Sequence, residues 1–311
     1  QVDVVSADTS TPDASRVASA DAGINVIDVA VSEDVSAAVN YNDNHKVHTI
    51  GPAGRKAQLR LPGGSVAGIK LPLVVALHGY SDKPGYVANY FGVVQSVHQN
   101  GHMLLIPRGT KDPNNKWFWN ATDACCNFWK QPVDDVAYLI GLIDEAIETY
   151  GADPDRVMLI GHSNGGFMSH KMACEVGDRL HTIVNFAGST FANFDHCKLT
   201  GYPNILNVHG TKDAVIQFNG SVIKAGFQSI PYPSAPQSTL LWALRSGCNK
   251  DWTYVGDLDL DAPQGKETQN LEHLGCTKGN RVALWRIENG SHSVYFPAGS
   301  LINAALSWAM K

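Results

Sequence analysis

A serine lies at the centre of the single G-x-S-x-G pattern in the sequence, Gly-His-Ser-Asn-Gly-Gly at residues 161–166. The apolar run Val157–Ile160 precedes this pattern, and a segment with helical spacing, 167–176, follows it. Glycines at these positions permit a tight strand-to-helix turn that exposes the serine hydroxyl above a sheet. Ser163 is therefore the candidate nucleophile.

A serine hydroxyl needs a base to remove its proton, and in enzymes with this turn the acid and then the histidine follow the serine along the chain. Asp213 comes directly after the apolar run NILNV, and His292 comes after VALWRI and is the last histidine. We therefore predict a Ser163–Asp213–His292 triad. The rival residues are the acids Asp195, Asp259 and Glu288, none of which follows a clear core strand, and His273.

Two backbone amides are candidates for binding the negative oxygen of a tetrahedral intermediate. One donor in such sites is the residue after the nucleophile, here Asn164, and the other comes from a loop after an earlier strand, here HGYSD at 78–82. We assign the second donor to Tyr80, because Gly79 lets this loop approach closely. We also expect the Tyr80 ring to line the substrate site.

Five aromatic residues are concentrated in the segment KWFWNATDACCNFW, 116–129. They favour equally an aromatic wall for an acyl or aryl group and a hydrophobic cluster packed under a loop. From this segment we predict Trp119 as a substrate-binding residue.

Short apolar runs alternate with longer amphipathic segments from about residue 57 onward. The strand-like runs start at residues 71, 102, 156, 181 and 204, and their near-continuous Val, Ile and Leu content is typical of a parallel sheet covered on both faces. Helical patterns cover 133–150, 164–176 and 298–310. In the first of them one face carries Val136, Leu139, Ile140, Ile143 and Ile147. This alternation predicts an α/β fold, a mostly parallel central sheet with helices on both faces.

Composition and charge exclude several classes of protein. The 311 residues are 44% hydrophobic and 17% charged, which rules out a disordered chain or a coiled coil. The net charge of −5, without a basic block, argues against a nucleic-acid partner. No apolar run reaches the ~18 residues that a membrane span needs. The acidic run DLDLD at 257–261 alternates Asp with Leu, which favours a half-exposed strand over a metal site.

The first part of the chain differs from the rest. Residues 1–22 are rich in Ser, Ala and Asp and indicate a flexible acidic leader. Residues 23–56 are assigned to an N-terminal extension, in which Ile24–Val31 could form a docked strand. Residues 57–311 are assigned to the catalytic domain, which we expect to act as a monomer.

The chain has six cysteines and no C-x-x-C pair: Cys125, Cys126, Cys174, Cys197, Cys248 and Cys276. This pattern favours three disulfides over a zinc site. Cys248 and Cys276 flank a hairpin-like stretch and are predicted to pair. Adjacent cysteines are badly placed to bond to each other, so the pair at 125–126 is expected to reach Cys174 and Cys197, in either order. Oxidised cysteines, in a chain that starts with Gln rather than Met, point to export.

With these residues identified, the chain from about 57 to 310 resembles a known family, the secreted poly(3-hydroxybutyrate) depolymerase-like esterases, which are similar to bacterial feruloyl and acetylxylan esterases. The matching segments are LVVALHGYSD (73–82), WNATDACCNF (119–128), VDDVAYL (133–139), RVMLIGHSNGGFMSHKMAC (156–174), HGTKDAVI (209–216) and GSHSV (290–294). The resemblance implies an α/β-hydrolase fold, a triad at the three residues chosen above, and ester hydrolysis without a cofactor.

The expected function is that of a secreted serine hydrolase that forms an acyl-enzyme with carboxylic esters. Its substrates would be small, oligomeric or polymeric, either hydroxyalkanoate polyesters or feruloyl and acetyl esters. The alternative is a serine peptidase on the same fold, although such peptidases usually carry a large extra domain.

Overall fold

A computed structural model describes residues 42–64, 68–225, 228–260, 265–296 and 299–309. The strands in this part of the chain are β1 (Asn42–Ile50), β2 (Ala57–Gly63), β3 (Leu71–Leu77), β4 (Met103–Ile106), β5 (Thr110–Lys111), β6 (Trp117–Phe118), β7 (Ala152–His162), β8 (Thr182–Phe186), β9 (Asn204–Gly210), β10 (Ser221–Ala225), β11 (Gln228–Tyr232), β12 (Thr253–Leu258), β13 (Thr268–His273) and β14 (Val282–Ile287). The helices are α1 (Pro84–Tyr90), α2 (Val93–Gln99), α3 (Asp135–Tyr150), α4 (Asn164–Val176), α5 (Ala235–Arg245) and α6 (Ser300–Ala309). The predicted leader, 1–22, and the predicted strand Ile24–Val31 lie outside the described residues.

One sheet of ten strands, in the order β1-β2-β4-β3-β7-β8-β9-β14-β13-β12, forms the centre of the fold. The six strands from β4 to β14 in this order run parallel, and the two strands at each edge are antiparallel. The apolar runs predicted as strands are β3, β4, β7, β8 and β9. The prediction of an α/β fold with a mostly parallel sheet is therefore confirmed.

The sheet begins earlier than the domain boundary predicted at residue 57. β1 pairs antiparallel with β2 from Asn42, and Ile50 at its end is buried in the core. β1 is an edge strand with the polar sequence NDNHKVHTI. It therefore lacks the continuous apolar run that marks the central strands.

Helices cover both faces of the sheet. The core on one face contains side chains of α3, α4 and α5, and the core on the other contains those of α1, α2 and α6. Because successive strand residues point to opposite faces, β3 contributes to both cores. Leu73, Val75 and Leu77 pack on the first face, and Val74 and Ala76 on the second.

The helix predicted at 133–150 is α3, but its buried face differs from the predicted one. The Asp134 side chain caps α3 by accepting a hydrogen bond from Ala137 N–H at 2.9 Å. The buried side chains are those of Asp135, Leu139, Leu142, Ile143 and Ala146, whereas Val136, Ile140 and Ile147 are half-buried. Apolar spacing predicted the helix correctly, but the packing of α3 against the core decides which of its apolar residues are buried.

Three disulfides connect the described residues: Cys125–Cys126, Cys174–Cys197 and Cys248–Cys276. The predicted pairing of Cys248 with Cys276 is confirmed. The expectation that the two adjacent cysteines reach Cys174 and Cys197 is wrong. The two adjacent cysteines bond to each other, with Cα atoms 3.0 Å apart, and Cys174 bonds to Cys197 across 23 residues.

Several histidines are buried in an uncharged state. Burial lowers the pKa of His78, His102 and His162 to about 4, and that of His170 to about 3. The His170 ring lies between α5 and β9, where Trp242 Nε1–H donates to Nδ1 at 3.0 Å. The other ring nitrogen, Nε2, therefore carries the proton and donates to Asn207 Oδ1 at 3.0 Å.

We expect acid to destabilise the protein between about pH 6.5 and pH 4. In this window the imidazoles of the unfolded chain bind protons, whereas the buried imidazoles of the folded protein stay unprotonated. The free energy of unfolding therefore falls as the pH falls. Replacing one such group in His170→Gln should reduce the slope of unfolding free energy against pH by up to about 1.4 kcal/mol per pH unit, measured by urea unfolding.

The matched control is His196→Gln, because His196 is exposed and its side chain contacts the surface carboxylate of Asp123 and the Phe191 ring. This variant should keep the wild-type slope. Equal slopes for wild type and His170→Gln would contradict a neutral buried His170.

Candidate active site

Ser163 occupies a sharp turn between β7 and α4. β7 ends at His162 and α4 begins at Asn164, and Ser163 itself has φ 53° and ψ −116°. Few residues other than glycine adopt a positive φ, and those that do cluster at functional sites. The Ser163 N–H donates to Phe186 O at 2.9 Å, which holds the turn against β8. The predicted strand-to-helix turn is present, and its serine is half-buried at the carboxyl edge of the sheet.

Glycines on either side allow this turn. A Cβ atom on Gly161 would clash with Gly165 O, and one on Gly165 would clash with the Leu77 carbonyl group. The backbone of α4 therefore lies directly against the ends of β7 and β3, closer than any side chain would permit.

Asp213 lies in the loop after β9 and is only 4% exposed. Its Oδ1 accepts hydrogen bonds from the backbone N–H groups of Val215 and Ile216 at 2.8 and 2.9 Å. Its Oδ2 is 2.8 Å from His292 Nδ1 and 3.3 Å from His209 Nε2. The carboxyl group is therefore held at both oxygens.

These contacts keep Asp213 ionised. Burial alone raises the pKa of its carboxyl group, but the hydrogen bonds from His209 and His292 outweigh this effect and hold the pKa well below its usual range. A permanently charged carboxylate next to Nδ1 fixes the imidazole in the tautomer whose Nδ1 carries the proton. Nε2 of His292 is then free to act as a base.

His292 lies in the loop after β14, and two other elements hold this loop. His162 Nε2 donates to the His292 carbonyl oxygen at 2.9 Å, with ring centroids 4.8 Å apart. Tyr90 O–H donates to Val294 O at 2.6 Å. Because His162 is the residue before Ser163, this contact joins the histidine loop directly to the serine turn.

The two predicted amide donors follow neighbouring strands. Tyr80 lies after β3, and Asn164 is the first residue of α4 after β7, the strand paired with β3. N–H groups in the first turn of a helix have no partner within the helix and are available to an anion. The next amide of the loop, Ser81 N–H, donates to Trp117 O at 2.7 Å and fixes the path of the loop.

Trp119 does not face this site, so the prediction that it binds substrate is not supported. Its side chain is 0% exposed, and its Nε1–H donates to His78 O at 3.0 Å. The side chain of Asn164 clamps the Trp119 backbone, accepting from its N–H at 2.7 Å and donating to its carbonyl oxygen at 3.1 Å. Trp119 is a core residue that positions the residue after Ser163.

Tyr80 and Phe128 are two partly exposed aromatic residues near this edge. Their rings meet edge to face with centroids 5.7 Å apart. Tyr80 O–H donates to Asp112 Oδ2 at 2.6 Å, and burial together with this hydrogen bond raises the pKa of the phenol, which stays protonated. The ring is thus held in one orientation, as a substrate-lining residue requires.

Sequence reasoning missed three residues that organise the site. His209 contacts the acid, while His162 and Tyr90 hold the histidine loop. The buried His78 holds a neighbouring loop by accepting a hydrogen bond from Gly109 N–H at 2.9 Å. His209 lies only four residues before Asp213, whereas His162 and Tyr90 contact a loop that is more than 100 residues away in the chain, and no spacing pattern predicts those two contacts.

The rival histidine and two of the rival acids lie elsewhere. His273 belongs to β13 and contacts Asn249 O at 2.9 Å. Asp195 pairs with Arg245, and Glu288 with Arg286, at exposed positions. None of these makes the buried contacts that Asp213 and His292 share.

Because Trp119 is buried, we expect Trp119→Ala to act through stability. Loss of a buried indole should cost about 3–5 kcal/mol of folding free energy and lower the melting temperature. The kcat/KM values for p-nitrophenyl acetate and for a bulky aryl ester should fall by the same factor.

Trp129→Ala is the control, since Trp129 lies in the same loop but is 41% exposed, and this variant should keep the wild-type melting temperature. A loss confined to the bulky ester, with an unchanged melting temperature for Trp119→Ala, would place Trp119 at the substrate instead.

Known proteins with similar sequences are esterases. The chain is 26% identical over 247 residues to feruloyl esterase B of Piromyces equi, covering 77% of this chain but only 42% of that enzyme. It is 25% identical over 257 residues to the putative esterase NocK of Nocardia uniformis subsp. tsuyamanensis, covering 80% of this chain and 73% of that protein. The chain thus spans less than half the length of the fungal enzyme.

Solved structures show the same fold at lower identity. An acetyl xylan esterase from Aspergillus awamori superposes with a TM-score of 0.60 at 14% identity, covering 85% of this chain and 99% of that one. Within the described part of the chain, no helix is long and apolar enough to cross a membrane. A family described as Phospholipase/Carboxylesterase matches residues 69–227, more than half of the sequence. The fold, the sequence relatives and this match agree, and the chain belongs to the phospholipase/carboxylesterase family of α/β hydrolases.

Proposed function

We propose that this protein is a secreted serine hydrolase of carboxylic esters that works through an acyl-enzyme. Ser163 is the nucleophile, His292 the general base and Asp213 the residue that orients it. The observation that carries the proposal is the 2.8 Å contact between the buried Asp213 Oδ2 and Nδ1 of the half-buried His292, in a loop that His162 connects to the Ser163 turn.

The first chemical step is acylation. His292 Nε2 takes the proton of the Ser163 hydroxyl as its oxygen attacks the ester carbonyl carbon, and then gives this proton to the departing alcohol. Asp213 does not accept a proton; its charge stabilises the imidazolium that forms. Water then repeats the sequence on the acyl-enzyme and releases the acid.

The backbone amides of Tyr80 and Asn164 stabilise the tetrahedral intermediate. Their N–H groups supply two fixed donors for the negative oxygen, each typically worth about 3 kcal/mol in the transition state. The side-chain clamp of Asn164 on Trp119 keeps the second donor in place without reorganisation during the reaction.

The substrate classes that we propose are hydroxyalkanoate oligomers or polyesters and feruloyl or acetyl esters. The names of the sequence relatives, feruloyl esterase and acetylxylan esterase, support the second class. Tyr80 and Phe128 offer partly exposed rings to a flat or apolar acyl group. Three disulfides support export to an oxidising compartment.

Replacement of the nucleophile should abolish esterase activity. We expect Ser163→Ala to lower kcat on p-nitrophenyl acetate by about 10⁴–10⁶. Ser169→Ala is the matched control on the same helix, because the Ser169 hydroxyl only donates to Gly165 O. This variant should keep most of the activity.

Wild-type protein should show little activity on an aminoacyl p-nitroanilide. A Ser163→Ala variant with a tenth of the wild-type rate, or faster cleavage of the anilide, would refute the proposal.

Replacement of the acid tests the tautomer argument. Asp213→Asn keeps the size of the side chain but can present an N–H group to Nδ1, so kcat should fall by roughly 10³–10⁴. The rival acid provides the control, since Asp195→Asn alters only a surface pair. Comparable losses in the two variants would remove Asp213 from the triad.

A further inference from the structure

A second concave site lies at the amino edge of the sheet. It is a cavity of about 490 Å³, within the range of small-molecule sites. Its polar lining comes from the starts of several parallel strands, with His102 before β4, Arg156 in β7, His181 before β8 and Arg281 before β14. Among the described residues that line it, there is no carboxylate.

This cavity is separate from the candidate active site. Ser163, Asp213 and His292 follow the carboxyl ends of β7, β9 and β14, whereas the cavity lies at the opposite ends of the same strands. The five residues of β8 alone span roughly 17 Å at the usual rise per residue. A ligand in one site therefore cannot contact the residues of the other.

His102 presents a hydrogen-bond acceptor to the cavity. The side chain is buried and neutral, because burial lowers its pKa to about 4. Its Nδ1 lies 2.8 Å from Asn100 O and must donate to it, so Nε2 carries only a lone pair. Within the described residues this nitrogen has no partner, and a ligand that satisfies it must donate a hydrogen bond.

His181 presents a donor. Its Nδ1 lies 2.8 Å from Thr182 Oγ1, which also receives a hydrogen bond from Asn204 Nδ2 at 3.3 Å. In the arrangement in which the Thr182 hydroxyl donates its own proton to this ring, His181 Nδ1 is the acceptor. The proton of the His181 ring is then on Nε2, available to an acceptor atom.

Arg156 adds a positive charge to the lining of the same cavity. Burial lowers the pKa of both His102 and His181, and the Arg156 charge adds to this effect at each ring. Nε is paired with Asp153 Oδ2 at 2.7 Å and Nη2 with Lys70 O at 3.1 Å. The remaining N–H groups of the fork can bind a carboxylate.

Apart from Asn204 and Gly279, the rest of the lining is apolar and comes from Pro72, Met158, Leu306 and Ala309. A ligand that fits must combine a carboxylate for Arg156 and His181, a hydroxyl donor for His102, and a short aliphatic part. We propose that this cavity is a binding site for a short hydroxycarboxylate. The proposal concerns a site apart from Ser163 and does not depend on the catalytic assignment.

The test is calorimetric titration of the full chain with 3-hydroxybutyrate and, as the matched ligand without a hydroxyl, butyrate. We expect saturable binding of 3-hydroxybutyrate with a dissociation constant of about 1 mM or tighter. Butyrate should bind at least about fivefold more weakly, because it leaves His102 Nε2 unsatisfied.

Two variants and one control locate the binding. Arg156→Gln should weaken 3-hydroxybutyrate at least about tenfold, and His102→Leu should bind the two ligands equally. Arg245→Gln removes an exposed arginine paired with Asp195 and should bind like wild type. Both cavity variants should hydrolyse p-nitrophenyl acetate at the wild-type rate, which shows that they are folded.

Absence of saturable 3-hydroxybutyrate binding would overturn the proposal. An unchanged affinity of Arg156→Gln for 3-hydroxybutyrate would also overturn it, because the ligand would then bind outside this cavity. Equal binding of the two ligands by wild type would refute the role of His102. If His102→Leu fails to fold, the ligand pair with wild type and Arg156→Gln still decides the question.

Discussion

The close approach of α4 to the ends of β3 and β7 is the contact on which the candidate site depends. Gly161 and Gly165 leave no room for side chains between these backbones, and the chain can enter α4 only through the positive φ of Ser163. The same approach places Asn164 where its side chain grips the Trp119 backbone. The Ser163 turn, the Asn164 amide and the Trp119 backbone are therefore all positioned by the close packing of α4 against β3 and β7.

The interior holds an ionised carboxylate together with imidazole rings that stay neutral. The fold keeps one carboxylate ionised, because Asp213 receives two backbone N–H groups and faces two imidazoles. By contrast, His162 and His170 are kept neutral, since a buried imidazolium without a carboxylate would lose its hydration. The neutral rings serve as fixed hydrogen-bonding groups, whereas the half-buried His292 contacts the Asp213 carboxylate through Nδ1.

The carboxyl ends and the amino ends of the parallel strands carry different sets of functional side chains. At the carboxyl edge, loops after β7, β9 and β14 bring together a serine, a carboxylate and an imidazole. At the amino edge, the residues before β4, β8 and β14 line a cavity with basic and neutral polar groups over an apolar wall. Every strand in a parallel array points the same way, so residues at equivalent ends meet although they are far apart in sequence.

The sequence by itself determined the order of strands and helices, the Ser163 turn and the choice of Asp213 and His292. Continuous apolar runs, glycine spacing and chain order are local properties, and they predict a local geometry and the edge of the sheet at which it lies. The pairing of Cys248 with Cys276 could also be predicted from the sequence, because both cysteines flank one short stretch.

Only the tertiary structure decided which side chains are buried and which distant residues meet. Trp119 and Phe128 are alike in sequence pattern, but one is enclosed in the core and the other meets Tyr80. His162 and Tyr90 acquire their roles from partners that lie next to them only after the chain folds, and residue type and spacing do not encode which side chains the packed layers enclose.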